Sequence, residues 1–401
     1  MIKDLFKHSG IFFAGSIVSK VATTLAWILL AKILVPPEYG IFTLYFMILQ
    51  LSTFFADFGL NQYYLKKVEG FDKSGLFNKI LAVRTHTLAI SIVVLSVILF
   101  GLKIFTPAVN LIFLISLVPM AYLSILDGYY LEQKMGLRVS LKLGSIGGIC
   151  IMGFVLFQPY LDLTRVFLLL LFAFSATLIW IAPWRKIKLT SISFSDFLSV
   201  IKSSSPYAYL TLTSFFYNRG DAFLVSYFKG DAALGIYGLA YRFLESVALF
   251  PSSLIQVLFP VAAKKTGISA GQLIKITLAM VLIGILFGLG IYLIGPFFIL
   301  TFFRPEYFQA VPILKIFSLV LFLFFLNSPL ATVVQSSRLV GKFLPYGIAN
   351  TAVNLVLNIV FIPNYGIIAA AWIMAITEVT GFIINLIFVK KLYQARRYNA
   401  T

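Results

Sequence analysis

Residues 11–64 read IFFAGSIVSKVATTLAWILLAKILVPPEYGIFTLYFMILQLSTFFADFGLNQYY. Two long apolar runs flank a tight turn, Val35-Pro36-Pro37-Glu38-Tyr39-Gly40. A helix rising about 1.5 Å per residue needs about 20 residues to cross about 30 Å of hydrocarbon, and each run has that length. One charge, Lys20, falls about nine residues into the first run, roughly 14 Å deep at that rise. A lysine at such depth costs on the order of 2.5–3.5 kcal/mol on insertion scales, and its stem does not easily snorkel that far. Ser16, Thr23, Thr24 and Trp27 lie on the same stripe of a helix as Lys20. A polar stripe with a lysine at its centre points to a water-filled cavity, with a tilted helix and a snorkelling Lys20 as the plain alternative.

The rest of the chain repeats the pattern. The 401 residues are 60% hydrophobic and 11% charged, where a soluble domain averages about 45–50% apolar and about 25% charged. The expected fold class is an all-α integral membrane protein with twelve transmembrane helices, at 11–34, 39–64, 80–101, 108–128, 142–160, 165–184, 206–228, 233–262, 273–296, 310–332, 344–362 and 366–389. A transmembrane barrel would show short alternating segments instead. The first run is too long for the apolar core of a signal peptide and lacks a small-residue cleavage site, so it reads as a retained span.

The formal charge of +18 invites a nucleic-acid reading, but the basic residues alternate from loop to loop. One side carries Lys66, Lys67, Lys73, Lys79 and Arg84, then Lys134, Arg138 and Lys142, then Arg185, Lys186, Lys188 and Lys202. The same side continues with Lys264, Lys265 and Lys275, with Arg338 and Lys342, and with the termini. The other side carries only Lys32, Lys103, Arg165, Lys229, Arg304 and Lys315. The positive-inside rule accounts for this asymmetry and puts both termini in the cytoplasm, with no nucleic-acid partner implied. The single cysteine, Cys150, lies in an apolar run and reads as packing. His8 and His86 stand apart from any Cys or carboxylate cluster, so neither a metal nor a cofactor is implied.

The centre of the chain is different. Phe194, Phe197, Leu198 and Ile201 recur at helical spacing while Ser195, Asp196, Ser199 and Lys202 take the other face, the pattern of a short interfacial helix. It divides the chain into an N-terminal six-helix bundle (1–190), a cytoplasmic interfacial linker (191–205) and a C-terminal six-helix bundle (206–401). Gly40-Ile41-Phe42-Thr43-Leu44 opens the second span and Gly235-Ile236-Tyr237-Gly238-Leu239 the eighth; Phe157-Gln158-Pro159 closes the fifth and Phe361-Ile362-Pro363 the eleventh. Two halves of the same orientation are parallel repeats, and transporters of that build bind substrate near the bilayer midplane between the halves.

Further charges interrupt the spans. Arg219 and Asp221 lie in the seventh, and Arg242 and Glu245 share one face of the eighth at i,i+3. Asp57 and Asp127 mark the inner parts of the second and fourth, and Glu378 lies inside the twelfth. Lys20, Arg219 and Arg242 together describe a central cationic cavity suited to a phosphate or pyrophosphate, gripped bidentately by arginine. Tyr217, Tyr237 and Tyr241 are placed to stack on or hydrogen-bond a sugar, with interfacial anchoring or packing as their bland reading. Asp57, Asp127, Glu245 and Glu378 are the candidates for ion coupling, against structural pairing or interfacial placement. Pro251 stands just beyond Arg242 and Glu245 and is a candidate kink.

Ala31-Lys32-Ile33-Leu34-Val35-Pro36-Pro37-Glu38-Tyr39-Gly40 with Asp57-Phe58-Gly59-Leu60, Gly235-Ile236-Tyr237 with Tyr241-Arg242, and Asn354-Leu355-Val356-Leu357-Asn358-Ile359-Val360-Phe361-Ile362-Pro363-Asn364-Tyr365-Gly366-Ile367 resemble the polysaccharide transporter family of O-antigen flippase type. That family belongs to the multidrug, oligosaccharidyl-lipid and polysaccharide exporter superfamily. The resemblance implies two six-helix bundles in a MATE-like V, opening alternately to each side of the bacterial inner membrane. It implies a lipid-diphosphate-linked oligosaccharide of undecaprenyl type as substrate, membrane lipids as surroundings, and a polysaccharide polymerase and chain-length regulator as partners. It does not imply an enzyme. A cation-coupled multidrug exporter of the same superfamily is the alternative within transport; it would favour a carboxylate where the first span carries Lys20. A membrane polymerase or ligase needs catalytic groups in a sizeable outer loop, and the outer loops here are very short.

Overall fold

The computed structural model describes residues 2–67, 73–101, 105–133, 135–188, 190–262 and 268–398. The expectations resting on Lys103, Lys134, Lys264 and Lys265 lie outside them. Among the described residues eleven α-helices follow in order: α1 Ile2–Ile33, α2 Pro36–Asp57, α3 Leu60–Lys67, α4 Lys73–Gly101, α5 Pro107–Glu132, α6 Gly136–Leu156, α7 Leu163–Ile181, α8 Phe194–Ala262, α9 Ala270–Phe302, α10 Ala310–Gln335 and α11 Val340–Tyr398. Among the described residues there is no strand, and 8 helical segments are long and apolar enough to cross a membrane. The chain is a multi-pass, all-helical membrane protein.

Two of the longest helices are broken by glycine. Gly230 in α8 has φ 79° and Gly366 in α11 has φ 67°, the left-handed region that only glycine enters without strain. No atom would crowd a side chain at either position, so backbone conformation alone requires the glycine. Each break turns one long helix into a hairpin, between the seventh and eighth expected spans and between the eleventh and twelfth. The Lys229 ammonium donates to the Pro363 carbonyl at 2.7 Å and ties the two turns together.

The chain divides into two compact units. The first comprises Met1–Ile33 and Leu44–Phe215. In it α1 lies tight against α6: a Cβ on Gly147 would stand 2.7 Å from the Thr23 backbone nitrogen, and the Ser19 hydroxyl donates to the Ser140 carbonyl at 2.6 Å. Small residues allow this approach where lipid offers no hydrophobic drive for helix association. Arg84 and Lys142, grouped by sequence with the basic loops, are buried inside this unit instead. The Arg84 guanidinium pairs with Asp57 and donates to the Ala121 carbonyl at 2.7 Å. Lys142 pairs with Asp127 at 2.5 Å and donates to the Leu123 carbonyl at 3.1 Å. Asn61 donates to Asp57 at 3.0 Å and to the Ser124 carbonyl at 3.1 Å. A single stretch of α5, from Ala121 to Asp127, thus collects the polar side chains of α2, α3, α4 and α6.

The segment expected as an interfacial linker is the start of α8, and it runs without a break into the seventh expected span. Ser193 caps it by accepting from the Asp196 backbone N–H at 3.1 Å. Lys79 pairs with Asp196 at 2.6 Å, and the hydrogen bonds from Lys79 and Ser193 hold that carboxyl below its usual range. Between α2 and α3 the chain bends at Phe58 (φ 43°) and Gly59 (φ 76°). A Cβ at Gly59 would lie 2.6 Å from the Ser204 carbonyl, so this bend seats directly on the start of α8.

The second unit comprises Leu34–Thr43 and Phe216–Thr401. The turn and first residues of α2 therefore group with α8. A Cβ on Gly40 would stand 1.8 Å from the Asp231 carbonyl oxygen, and one on Gly235 would stand 2.0 Å from the Pro36 carbonyl oxygen. Each glycine lies on the carbonyl four residues before the other, the signature of a two-fold crossing. The internal repeat read from Gly40-Ile41 and Gly235-Ile236 meets itself at this point. Tyr39, fully buried beside the crossing, stacks on Phe42 and meets Tyr307 edge-on.

Two measurements check this packing. Gly40→Ala drives a methyl group into backbone that no rotamer change can clear, and overpacking of this kind costs about 1–3 kcal/mol; the purified variant melts below the parent. Arg84→Ala leaves Asp57 buried without its counter-charge, a loss of about 3–5 kcal/mol. The double variant Arg84→Met/Asp57→Leu removes both charges and recovers most of that loss in the same melting measurement.

Candidate functional site

Helical rise places the site. Arg219 lies eleven residues before the Gly230 turn and Arg242 twelve after it. At about 1.5 Å per residue both stand about 17 Å from the turn, side by side on the two arms of α8. Both guanidinium groups bind one carboxylate. Arg219 Nη2 donates to Glu245 Oε1, and Arg242 Nη1 donates to Glu245 Oε2 at 2.7 Å. The Arg219 guanidinium also lies 4.7 Å over the Tyr241 ring, a cation–π contact that fixes its plane. The Tyr241 hydroxyl donates to the Asn218 carbonyl at 2.9 Å, and its ring meets Phe317 edge-on.

Asp221 is held separately. It accepts from the Tyr237 hydroxyl and from the Ala222 backbone N–H at 2.7 Å, and is 3% exposed. Tyr237 is thereby committed to Asp221 and to packing on Phe317, which takes it out of the front rank of sugar-binding groups. The Tyr39 hydroxyl lies within electrostatic reach of Arg242, Glu245 and Arg219. The structure thus brings Arg219, Arg242, Tyr241 and Glu245 together in the second unit and adds Tyr39 to them.

Lys20 lies on α1 in the first unit and is half-buried. Part of its expected stripe is used in packing: Thr23 donates to the Ser19 carbonyl at 3.0 Å and the Leu143 carbonyl at 3.4 Å. Trp27 is buried against Phe46, and Ser16 falls outside the described side chains. Asp57 and Asp127 are the partners of Arg84 and Lys142 described above.

Glu378 has another kind of environment. It lies twelve residues after the Gly366 turn and Asn354 twelve before it, so the two arms of α11 bring both to the same distance from the turn, about 18 Å. Glu378 is 4% exposed. It accepts from the Tyr217 hydroxyl at 2.5 Å and from the Asn327 amide at 3.4 Å. Asn385 donates to Asn327 at 2.6 Å, and Asn354 to the Thr377 hydroxyl at 2.9 Å. Its hydrogen-bond partners are neutral, whereas Asp57, Asp127 and Glu245 each bind a cation. A metal cluster of His, Cys, Asp and Glu is absent among the described residues.

The sequence profile of a family described as polysaccharide biosynthesis protein matches residues 29–270, which include the 34–43 turn, the arginine pair and Glu245. The chain belongs to the polysaccharide biosynthesis protein family. A curated relative from Haloferax volcanii, named "Probable low-salt glycan biosynthesis flippase Agl15", is 23% identical over 95% of this chain and 83% of its own length. The teichuronic acid biosynthesis protein TuaB of Bacillus subtilis is 26% identical over 41% of this chain and 35% of its own. Among solved structures, the lipid II flippase MurJ in an inward closed conformation superposes with a TM-score of 0.74, at 15% identity, over 94% of this chain and 87% of that one. An inward-facing MATE transporter of the MOP superfamily gives 0.68 at 16% identity, over 94% and 96%. The family resemblance read from the sequence holds, and the fold is the one these transporters share.

Within this polysaccharide biosynthesis protein three groups escaped the sequence reading. Tyr39 was read as part of a turn, and only the glycine crossing carries it to the arginines. Arg84 was counted with a basic loop, although Arg84, Thr87 and Ser91 make a polar stripe at i, i+3, i+7, all three buried. Asn327 became visible as a partner of Glu378 once α10 and α11 were packed together, and Tyr217, read beside Tyr237 and Tyr241 as a sugar-facing ring, donates to the same carboxylate. Removing the Tyr217 hydroxyl strips the buried Glu378 carboxyl of its shorter hydrogen bond, so Tyr217→Phe lowers stability by about 1–3 kcal/mol. Glu378→Gln keeps an acceptor for Tyr217 and introduces no charge, so that variant melts at or above the parent.

Proposed function

We propose that this chain is a flippase. It carries a lipid-diphosphate-linked oligosaccharide, undecaprenyl-linked and destined for O-antigen or another surface polysaccharide, across the bacterial inner membrane by alternating access. In this reading both termini are cytoplasmic, and the twelve spans form two six-helix bundles joined by the 191–205 linker. Lys20 joins Arg219 and Arg242 in a central cationic cavity, Tyr241 offers its ring and Tyr237 backs it, and the protein transports without catalysing a covalent change.

The observation that carries the proposal is the arginine pair on α8. Two guanidinium groups near mid-membrane, presented together and sharing a single carboxylate, form a grip matched to a diphosphate. Arginine binds phosphate in a planar, bidentate way that a lipid tail or neutral sugar cannot use. Membership of a polysaccharide biosynthesis family supplies the substrate class, and Agl15 and MurJ are both named as flippases. The diphosphate is the part of such a lipid that cannot cross hydrocarbon unaided, and the pair sits at the depth where that cost is greatest.

The exporter reading has one observation in its favour, the buried Glu378 carboxyl with neutral partners, which suits a coupling cation. One preparation tests both readings. The protein is reconstituted into vesicles with a fluorescent lipid-diphosphate sugar, and leaflet exchange is followed by quenching. Translocation is the expected result; efflux of a cationic dye without lipid translocation reverses the assignment to an exporter. In the same vesicles Lys20→Ala slows translocation about tenfold or more, the scale of a lost close charge contact. Transport at the parent rate by that variant removes Lys20 from the cavity.

A further inference from the structure

The arginine pair is already occupied by an anion of the protein itself, and the occupant is the most exposed member of the group. The Glu245 side chain is 33% exposed, against 12% for Arg219 and 5% for Arg242. Its two oxygens contact the two arginines, one each. Asp221, the other carboxylate near Arg219, is 3% exposed and pinned by the Tyr237 hydroxyl and the Ala222 N–H. Tyr39 approaches from α2 and carries no charge. A ligand arriving from the open side therefore meets Glu245 first, and it needs the same N–H donors that Glu245 occupies.

We infer that Glu245 is an internal placeholder for the substrate's phosphate, one that competes with the ligand and takes its place when the site is empty. The inference rests on the reading of the arginine pair as a diphosphate site. A carboxylate and a phosphate oxygen present the same geometry to a guanidinium group, so the exchange leaves the arginines paired at each stage. Without a placeholder the empty carrier would strip both buried cations of the carboxylate they share, a destabilising state. With one, the ligand is bound less tightly and released more readily. Affinity is given up for turnover, as expected for a carrier that must let its cargo go on the far side.

The test uses the full-length protein in nanodiscs with inorganic pyrophosphate as the probe. Glu245→Gln keeps the shape and removes the competing charge, so pyrophosphate binds about tenfold tighter or more, at the lower end of the couplings found for close charge pairs. In vesicles the same variant shows a lower KM and a lower maximal rate for lipid-diphosphate translocation, and Glu245→Asp returns both towards the parent. A merely structural Glu245 gives the opposite pattern, with binding unchanged or weakened in Glu245→Gln while Arg219→Ala and Arg242→Ala abolish it; that result overturns the inference and leaves the diphosphate site standing. Parent-like binding by both arginine variants overturns the site and the inference together. Should Glu245→Gln fail to fold, Glu245→Cys can be labelled after purification, because Cys150 is buried. An anionic methanethiosulfonate at residue 245 then weakens pyrophosphate binding and a cationic one strengthens it; equal binding with the two labels also overturns the inference.

Discussion

Backbone lies on backbone where Gly40 crosses Gly235, and much of the second unit depends on that contact. No residue with a side chain fits at either position. The crossing brings the turn and the first residues of α2, Leu34–Thr43, into the packing of α8. It buries Tyr39, which in turn abuts the Arg242 and Glu245 pair. The Tyr307 hydroxyl donates to the Leu34 carbonyl at 3.2 Å, closing the same corner from the short turn before α10. A local steric permission, two missing methyl groups, thus decides which side chains can surround the arginines.

Charge imposes the second constraint. Hydrocarbon offers no water to solvate an ion, so each buried charge needs a partner or a polar nest within the protein. The chain meets this demand in two ways. In the first unit Arg84–Asp57 and Lys142–Asp127 are one-to-one pairs, and each cation also donates to a carbonyl of α5. They are best read as scaffold. In the second unit the stoichiometry is uneven: two arginines share one carboxylate, and Glu378 is held by a hydroxyl and an amide. Uneven pairing sets the second unit's charges apart from the one-to-one pairs of the first, a distinction that a count of intramembrane charges does not make.

Much of this was legible in the sequence, for physical reasons that also explain what was not. Span lengths follow from apolar run length, so the breaks at Gly230 and Gly366 fall between expected spans. The i,i+3 relation of Arg242 and Glu245 is a property of one helix, and their pairing could be read directly. Arg219 needed more: its meeting with Glu245 depends on the hairpin returning at equal depth, which residue counts from Gly230 give only once the turn is known. Asp57 and Asp127 read as interfacial because their partners, Arg84 and Lys142, come from other helices and looked like ordinary inner-loop cations. Hydropathy windows record depth along one helix and are blind to what a neighbouring helix presents at that depth. The Tyr237–Asp221 hydrogen bond was not legible for the same reason, since it joins the two arms of α8.

Arg84 carries a consequence for how the protein comes to be made. Its side chain is fully buried, and it lies in α4 beyond the two lysines, Lys73 and Lys79, of the first turns. An arginine released alone into lipid would work against partitioning of that helix out of the translocation channel. Its carboxylate, Asp57, sits on α2, already synthesised, while the carbonyl it also needs belongs to α5, not yet made. The ion pair therefore favours lateral release of α4 with α2 still at its side, so an order of assembly is written into one salt bridge.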